Sequence, residues 1–214
     1  MSDQNILSLI GVRKEYPGVV ALDDVTLDIR RGEIHAIAGE NGAGKSTLIK
    51  ILTGAIQPDA GIIKLEGKEY QRLDRHQFLF ELGIAAIYQE FNLIPYLSVT
   101  QNIFLGKELK KGASLDKKRM RQEAEEILAR LGVSLNPDRS VRDLGVAYQQ
   151  VVEIAKAVSN RIRILIMDEP TAPLTMKEVD ILMRLVKTLK DEGITVVYIS
   201  HRMSENFELA DRIT

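Results

Sequence analysis

Residues 39–46 match the pattern G-x-x-x-x-G-K-[ST] in full, and this match narrows the possible folds more than any other feature. The short apolar run at residues 33–38 before it is typical of a buried strand, and the apolar residues after it have helical spacing. Glycine lets successive backbone N–H groups turn towards a phosphate, and a helix N-terminus adds positive potential. The sequence therefore predicts a phosphate-binding loop, with an ordinary glycine-rich turn as the alternative.

Individual roles follow from this motif. We expect Lys45 to reach the β- and γ-phosphates of a nucleoside triphosphate and the Ser46 hydroxyl to bind Mg²⁺. The residues predicted to form the ATP-binding loop are Gly39, Glu40, Asn41, Gly42, Ala43, Gly44, Lys45, Ser46 and Thr47.

Two carboxylates follow a second apolar run, at residues 162–167. In parallel α/β sheets, ligands collect at the carboxyl ends of the strands, where Asp168 and Glu169 are expected to lie. We predict that Asp168 holds Mg²⁺ through water and that Glu169 orients or deprotonates the attacking water. A solvated acidic turn is the alternative for this pair.

The order of apolar patterns predicts an α/β fold. Short β-rich runs alternate with amphipathic helices, which favours a parallel sheet covered on both faces. One of these helices is expected to start at a capping box formed by Thr175 and Glu178 and to end at Gly193. Half-exposed runs at residues 6–10, 25–29 and 62–65 indicate a small antiparallel sheet. Between residues 91 and 160 the pattern is helical. One predicted helix carries Leu115, Met120, Ala124, Ile127, Leu128 and Leu131 on one face.

Composition excludes several classes of protein. The formal net charge is −1, so there is no overall basic surface for nucleic acid. The absence of cysteine excludes disulfides and thiolate metal sites. No apolar run approaches the roughly 20 residues that span a bilayer, so a membrane role requires a spanning partner. Because residues 211–214 begin a new strand pattern, we expect the sequence to be part of a longer chain.

Motif order resembles that of the nucleotide-binding domains of ABC transporters. The glycine loop, Gln89 after a strand, Asp168-Glu169-Pro170-Thr171 and His201 after another strand occur in that family's order and spacing. The resemblance covers essentially the whole chain and implies a P-loop NTPase core with an antiparallel β subdomain and an inserted α-helical subdomain. The amino-acid sequence resembles that of the first cassette of bacterial monosaccharide importers at four places. These are the glycine loop and residues 88–90, 152–157 and 198–203.

The resemblance implies one nucleotide-binding domain over residues 1–214. Its β subdomain is expected at about 1–31 and 61–70, its α/β core at about 32–60, 71–90 and 160–214, and its helical subdomain at about 91–159.

Further site residues are implied by the resemblance. Tyr16 matches the aromatic residue that stacks on adenine, Gln89 matches the glutamine at Mg²⁺ and the attacking water, and His201 matches the switch histidine at the γ-phosphate. Without the family, Tyr16 is more simply a surface residue and His201 a structural one.

The family's signature segment differs in this chain. Leu-Ser-Gly-Gly-Gln is replaced by Leu144, Gly145, Val146, Ala147 and Tyr148, so the hydroxyl of the serine is missing. Because the family's cassettes dimerise head to tail, the resemblance implies that this segment serves the partner's nucleotide. The loop residues 172–175 also differ, with Pro173 and Thr175 where alanine and aspartate are usual.

The implied function is ATP hydrolysis that powers monosaccharide import, with ATP and Mg²⁺ as the bound species. The implied partners are a second cassette, transmembrane permease subunits docked on the helical subdomain, and indirectly a periplasmic or extracellular sugar-binding protein, with no nucleic acid. The implied location is peripheral, on the cytoplasmic face of the inner membrane. The alternatives are a soluble ABC-type ATPase and an ATP-binding regulatory module.

Overall fold

The computed structural model describes residues 5–40, 42–70 and 82–214. Asn41 of the glycine loop therefore lies outside the described residues, as do residues 71–81 of the predicted core segment 71–90. The strands are β1 (Asn5–Tyr16), β2 (Val19–Arg30), β3 (Ile34–Ile37), β4 (Ala60–Leu65), β5 (Lys68–Tyr70), β6 (Ile84–Ile87), β7 (Lys110–Lys111), β8 (Ser114–Leu115), β9 (Ile164–Asp168), β10 (Thr195–Ile199) and β11 (Arg212–Ile213). The helices are α1 (Lys45–Leu52), α2 (Val99–Ile103), α3 (Lys117–Arg130), α4 (Val146–Val158), α5 (Met176–Asp191) and α6 (Met203–Leu209).

A parallel sheet forms the centre of the fold, with the strand order β11-β3-β10-β9-β6 within the described part of the chain. All five residues of β10 are buried, as expected for a strand covered on both faces. Because the strands are parallel, β3, β6, β9 and β10 end at one edge of the sheet. The glycine loop, Gln89, Glu169 and His201 follow these four ends in the sequence.

Alternate residues of the central strands serve two different cores. In β9, Leu165 and Met167 pack into a cluster with the helices α2 to α5. Ile164 and Ile166 pack into a second cluster with α1 and the antiparallel strands. Successive side chains of a strand point to opposite faces, and both faces of β9 are buried. The sequence of β9 is therefore a continuous apolar run.

The predicted antiparallel sheet is present, with the order β2-β1-β4-β5 among the described residues. Its strands are longer than the sequence pattern indicated, since β1 and β2 each span 12 residues. Gly61 allows β4 to approach β1 closely. A Cβ at Gly61 would lie 2.6 Å from both the Gly11 carbonyl oxygen and Val12 Cα, and its φ of 95° favours glycine.

The helical segment differs from the prediction at its start. Leu115 does not begin a helix but lies in β8, opposite Lys110 of β7, and is exposed. Asp116 accepts a hydrogen bond from the Arg119 N–H at 3.1 Å, so it caps a helix that begins at Lys117. The prediction for Leu115 was therefore wrong, because local capping set the boundary and not the spacing of apolar residues.

The predicted start and end of α5 are confirmed. Thr175 and Glu178 form a capping box, in which the Thr175 N–H donates to Glu178 Oε2 at 2.9 Å. Gly193, with a φ of 84°, follows the end of this helix. Within the described ranges, none of the helices combines the length and apolar character needed to cross a membrane.

Candidate phosphate-binding site

A cleft of about 460 Å³ lies at the edge of the parallel sheet where β3, β6 and β9 end. The cleft is lined by Val19, Ala21, Gly42, Gly44, Lys45, Ser46, Thr47, Gln89, Asp168 and Glu169. The structure thus brings together residues that lie as much as 150 positions apart, since Val19 and Glu169 line the same cleft.

Gly44 fixes the backbone at the point where the loop becomes α1. Its φ is 89°, and a Cβ there would lie 2.5 Å from the Ala21 carbonyl oxygen and 2.8 Å from Leu22 Cδ2. No side chain caps α1, and its first turn holds no acidic residue. The first N–H groups of the helix are therefore available to an anion in the cleft.

Lys45 folds back over the loop. Its ammonium donates hydrogen bonds to the carbonyl oxygens of Gly39 at 2.6 Å and Glu40 at 2.9 Å. The loop is closed on itself by a further bond from the Ala43 N–H to the Glu40 carbonyl oxygen at 3.2 Å. Gly39, Glu40 and Ala43 thus shape the loop and hold the lysine, which brings a positive charge to the cleft.

Asp168 and Glu169 stand side by side at the end of β9. Burial and the neighbouring Glu169 carboxylate raise the pKa of Asp168, while the charge of Lys45 opposes this shift. Glu169 has a φ of 46°, which is rare for a residue with a side chain, and its N–H donates to the Ile199 carbonyl oxygen at 2.9 Å. The chain therefore turns sharply at the point where both acids enter the cleft.

The oxygen atoms of this cleft suit a magnesium ion. Ser46, Gln89 and Asp168 line the same cavity and offer hydroxyl, amide and carboxylate oxygen. Mg²⁺ commonly binds one or two carboxylates together with substrate phosphates. Among the described residues, no group of three or more histidine, cysteine or acidic side chains forms a separate metal site. Burial and Glu169 disfavour the charged form of Asp168, and a bound cation would stabilise this charge.

His201 meets Glu169 although it is not part of the cleft lining. Its Nδ1 lies 3.1 Å from Glu169 Oε1, and 55% of the histidine side chain is exposed. Because the two residues follow neighbouring parallel strands, the sheet places them together.

Tyr16 lies beside the cleft and not in its lining. It is 41% exposed at the end of β1, and the Lys14 ammonium lies 5.8 Å from its ring centroid. Its partner across the β1–β2 hairpin is Val19, which does line the cleft. Val19 and Ala21 were not identified from the sequence, since only the packing of the hairpin against the loop brings them there.

The chain segment after Gln89 is attached to α4. The Asn92 N–H donates to Glu153 Oε1 at 2.5 Å, and Lys156 Nζ donates to the Asn92 carbonyl oxygen at 2.9 Å. Glu153 is buried, and burial raises its pKa. Two side chains of one helix therefore hold the backbone N–H and C=O of Asn92, three residues beyond Gln89, a connection that no sequence pattern indicated.

Most of the chain matches a protein-family model. The family model described as ABC transporter matches residues 22–172. The chain belongs to the ABC transporter family.

Two curated ABC transporter relatives match nearly the whole chain. The ribose import ATP-binding protein RbsA 2 of Streptomyces coelicolor is 53% identical over 213 residues, which is 100% of this chain and 41% of the relative. The ribose import ATP-binding protein RbsA 1 of Rubrobacter xylanophilus is 49% identical over 209 residues, covering 98% of this chain and 42% of the relative. The chain thus spans about two fifths of these relatives.

Solved ABC transporter structures share the fold. A nucleotide-free ATP-binding cassette superposes with a TM-score of 0.85 at 27% identity, covering 97% of this chain and 85% of the other. A dimeric cassette in a post-hydrolysis state with ADP and Pi has a TM-score of 0.81 at 29% identity, covering 97% and 92%. The predicted α/β fold with its P-loop core is therefore confirmed.

Residues 144–148, the predicted counterpart of the ABC signature, lie apart from this cleft. None of the residues 144–148 contributes to the described lining. Leu144 is buried, Tyr148 is exposed, and Gly145 is the N-cap of α4 with no side chain to cap it. The use of this segment by a partner's nucleotide stays a prediction.

Proposed function

We propose that this domain binds MgATP and hydrolyses it to power monosaccharide import through an ABC transporter. The observation that carries the proposal is the meeting of Lys45, Ser46, Gln89, Asp168 and Glu169 in one cleft at the end of the parallel sheet. Sugar as the cargo is supported by the relatives, which are named ribose import ATP-binding proteins.

The groups of the cleft divide the work of phosphoryl transfer. Lys45 exchanges its hydrogen bonds to the loop carbonyls for bonds to the β- and γ-phosphates. The N-terminus of α1 also stabilises the negative charge of these phosphates. Ser46 and Gln89, together with Asp168 through water, would hold Mg²⁺, which when bound would neutralise charge on the phosphates. The remaining loop residues supply backbone contacts to the phosphates, and Tyr16 stacks on the adenine at the rim of the cleft.

Glu169 and His201 act on the attacking water and the γ-phosphate. Glu169 accepts a hydrogen bond from the water, whose oxygen forms the new bond to phosphorus while the bond to ADP breaks. His201, held 3.1 Å from Glu169, donates to the phosphate oxygens. Catalysis is then mainly positioning and charge stabilisation, because phosphoryl transfer leaves little covalent work to the protein.

The partners are a second cassette and membrane permease subunits. Solved relatives of this fold include dimeric cassettes, which supports cassette pairing. In the proposed dimer the cassettes pair head to tail, with the signature segment at the partner's nucleotide. The permease docks on the helical subdomain near residues 91–96, where Ile94 and Tyr96 are exposed. A sugar-binding protein acts through the permease. This arrangement places the domain on the cytoplasmic face of the inner membrane. We also propose that the three subdomains have the boundaries expected from the sequence.

A regulatory module that binds ATP without hydrolysing it is the second candidate. The observation that favours it is Gly145, which offers no hydroxyl at the signature segment. Against it stand the carboxylate of Glu169 and its contact with His201 in this chain's own cleft. A soluble ABC-type ATPase that acts on nucleic acid would show salt-dependent nucleic-acid binding.

Two substitutions in the full-length chain, assembled with its membrane partners, test the proposal. Glu169→Gln is expected to keep ATP affinity and to reduce ATP turnover at its own site by at least about 100-fold. Lys45→Ala is expected to weaken ATP binding measured by calorimetry, because it removes the cation that meets the phosphates. Sugar uptake into vesicles measures coupling to transport.

The outcomes separate the candidates. Normal turnover by Glu169→Gln contradicts its catalytic role, and unchanged ATP affinity in Lys45→Ala contradicts the loop assignment. ATP binding without turnover in the wild type, with and without membrane partners, favours the regulatory module.

A further inference from the structure

Glu205 forms a buried polar centre behind the cleft. It lies in the first turn of α6, and only 7% of the residue is exposed. Its Oε2 accepts hydrogen bonds from Thr171 Oγ1 at 2.7 Å, Tyr198 OH at 2.9 Å and Ser200 Oγ at 3.3 Å. Its Oε1 accepts a hydrogen bond from Arg202 Nη1 at 3.0 Å. One carboxylate therefore contacts four side chains.

The four donors lie in the two segments that carry Glu169 and His201. Thr171 comes two residues after Glu169, while Ser200 and Arg202 stand on either side of His201. The His201 segment has further internal bonds. The Arg202 N–H donates to Ser200 Oγ at 3.0 Å, and Asn206 Nδ2 donates to the Ser200 carbonyl oxygen at 3.1 Å.

Burial makes these bonds strong and their loss costly. A charged carboxylate removed from water is tolerated only when it is paired and hydrogen-bonded, as Glu205 is by Arg202 and three hydroxyl groups. Tyr198 remains a donor at every physiological pH, because burial and the charge of Glu205 raise its pKa. An apolar side chain could fill the same space, but it would not tie the two segments together.

We propose that Glu205 is a positioning residue for ATP hydrolysis, which sets the Glu169 segment against the His201 segment and so maintains their 3.1 Å contact. Glu205 acts through these residues, since it does not line the cleft. The inference rests on the proposed ATPase function. It adds a residue of α6 to the machinery of the site.

A positioning role predicts a change in turnover without a change in binding. In the full-length chain with its membrane partners, Glu205→Gln is expected to lower kcat for ATP about 10- to 100-fold, because small displacements of reacting groups have effects of this size. KM for MgATP and calorimetric ATP affinity are expected to change less than about twofold, since the described hydrogen bonds of Lys45 go to loop carbonyls and not to Glu205.

Glu208→Gln is the matched control. Glu208 lies on the same helix and its side chain is 64% exposed beside Lys187, so the same chemical change there should leave kcat unaltered. Thr171→Val removes the hydroxyl that links the Glu169 segment to Glu205 and should lower kcat by a smaller factor. Combined with Glu205→Gln it should add little, because Thr171 acts through the same carboxylate.

Thermal unfolding without nucleotide shows whether each variant is folded at the assay temperature. Wild-type turnover together with an unaffected Glu205→Gln overturns the positioning role alone. ATP affinity that falls in step with kcat, or an equal loss in Glu208→Gln, also overturns it. Absence of wild-type turnover contradicts the proposed function itself, and the positioning role with it. Lowered kcat with unchanged ATP affinity, seen in Glu205→Gln and not in Glu208→Gln, supports the proposal.

Discussion

The charge of Asp168 lowers the stability of the folded domain when no nucleotide is bound. Burial and the adjacent Glu169 raise its pKa, so its charged form is less stable here than in the unfolded chain. Asp168→Asn removes this charge at nearly constant size. We expect the variant to melt at a higher temperature than the wild type at pH 7 without nucleotide, because it no longer holds this charge in a partly buried position.

The pH dependence provides the check on Asp168. A raised folded pKa means that the penalty is complete above that pKa and disappears as the pH falls through it towards the unfolded value of 3.8. The melting difference between Asp168→Asn and the wild type should therefore shrink on acidification. The variant should also lose the extra stabilisation that Mg²⁺ gives with ATP. A lower melting temperature at pH 7 would contradict the electrostatic argument.

Local sequence patterns predicted the residues whose position depends on nearby backbone. The glycine loop was predictable because Gly44 must have a positive φ next to the Ala21 carbonyl oxygen, which leaves a readable motif. Val19 and the contacts of Glu205 were not predictable, because they depend on packing between segments far apart in sequence. Tyr16, Gln89 and His201 gained a role only from the family's motif order, since an isolated residue of each type has many uses.

Among the elements, the same distinction separates the ends of helices. The capping box of Thr175 and Glu178 contains its own signal and was predicted correctly. The β7–β8 hairpin was missed because each strand has only two residues, too few to show an alternating pattern.

Lys107 joins the segment after α2 to the end of α4 and gives a measurable test of that packing. Its ammonium donates to the Lys156 carbonyl oxygen at 3.3 Å, to Asn160 Oδ1 at 2.8 Å and to Ser159 Oγ. These acceptors lie at the C-terminal end of α4, where positive charge is favoured. Burial, and secondarily the charge of Lys156, lowers the pKa of Lys107 to about 8.

A lowered lysine pKa makes stability rise with pH. Between pH 8 and 10.5, the ordinary pKa of lysine, the unfolded chain keeps the Lys107 proton that the folded chain has lost, so the free energy of unfolding increases across this range. We expect the wild type to gain about 1–2 kcal/mol relative to Lys107→Met across this interval, since partial exposure reduces the effect. Urea denaturation of both proteins measures it, and other titrations cancel in the difference. Parallel pH profiles would exclude the lowered pKa.

At the scale of the whole molecule, one parallel sheet connects the two cores to the cleft. Alternate residues of β9 pack into opposite clusters. The strand that carries Asp168 is therefore held on both faces, and it cannot move without disturbing both clusters. The signature segment begins α4, which holds Asn92 beyond Gln89 through Glu153 and Lys156. A displacement of α4 by a partner cassette would thus be transmitted towards Gln89 through direct contacts.

In the proposed head-to-tail dimer Gly145 serves the partner's nucleotide, and the backbone conformation of Gly145 allows a direct test. Gly145 has a φ of −64°, and a Cβ there would meet nothing closer than Glu178 Oε1 at 4.0 Å. Serine also suits the N-cap position of α4. Gly145→Ser should therefore fold normally and restore the hydroxyl that the family's signature carries.

We expect this hydroxyl to raise turnover at the partner's site. The measurement is ATP hydrolysis by the full-length chain with its membrane partners, in a Glu169→Gln background that silences the site beside Lys45. One hydrogen bond to a charged phosphate, worth about 1.4 kcal/mol, corresponds to a tenfold increase. Gly145→Ala is the control, because it adds the same Cβ without a donor. Equal turnover in the serine and alanine variants would show that the missing hydroxyl does not limit hydrolysis at that site.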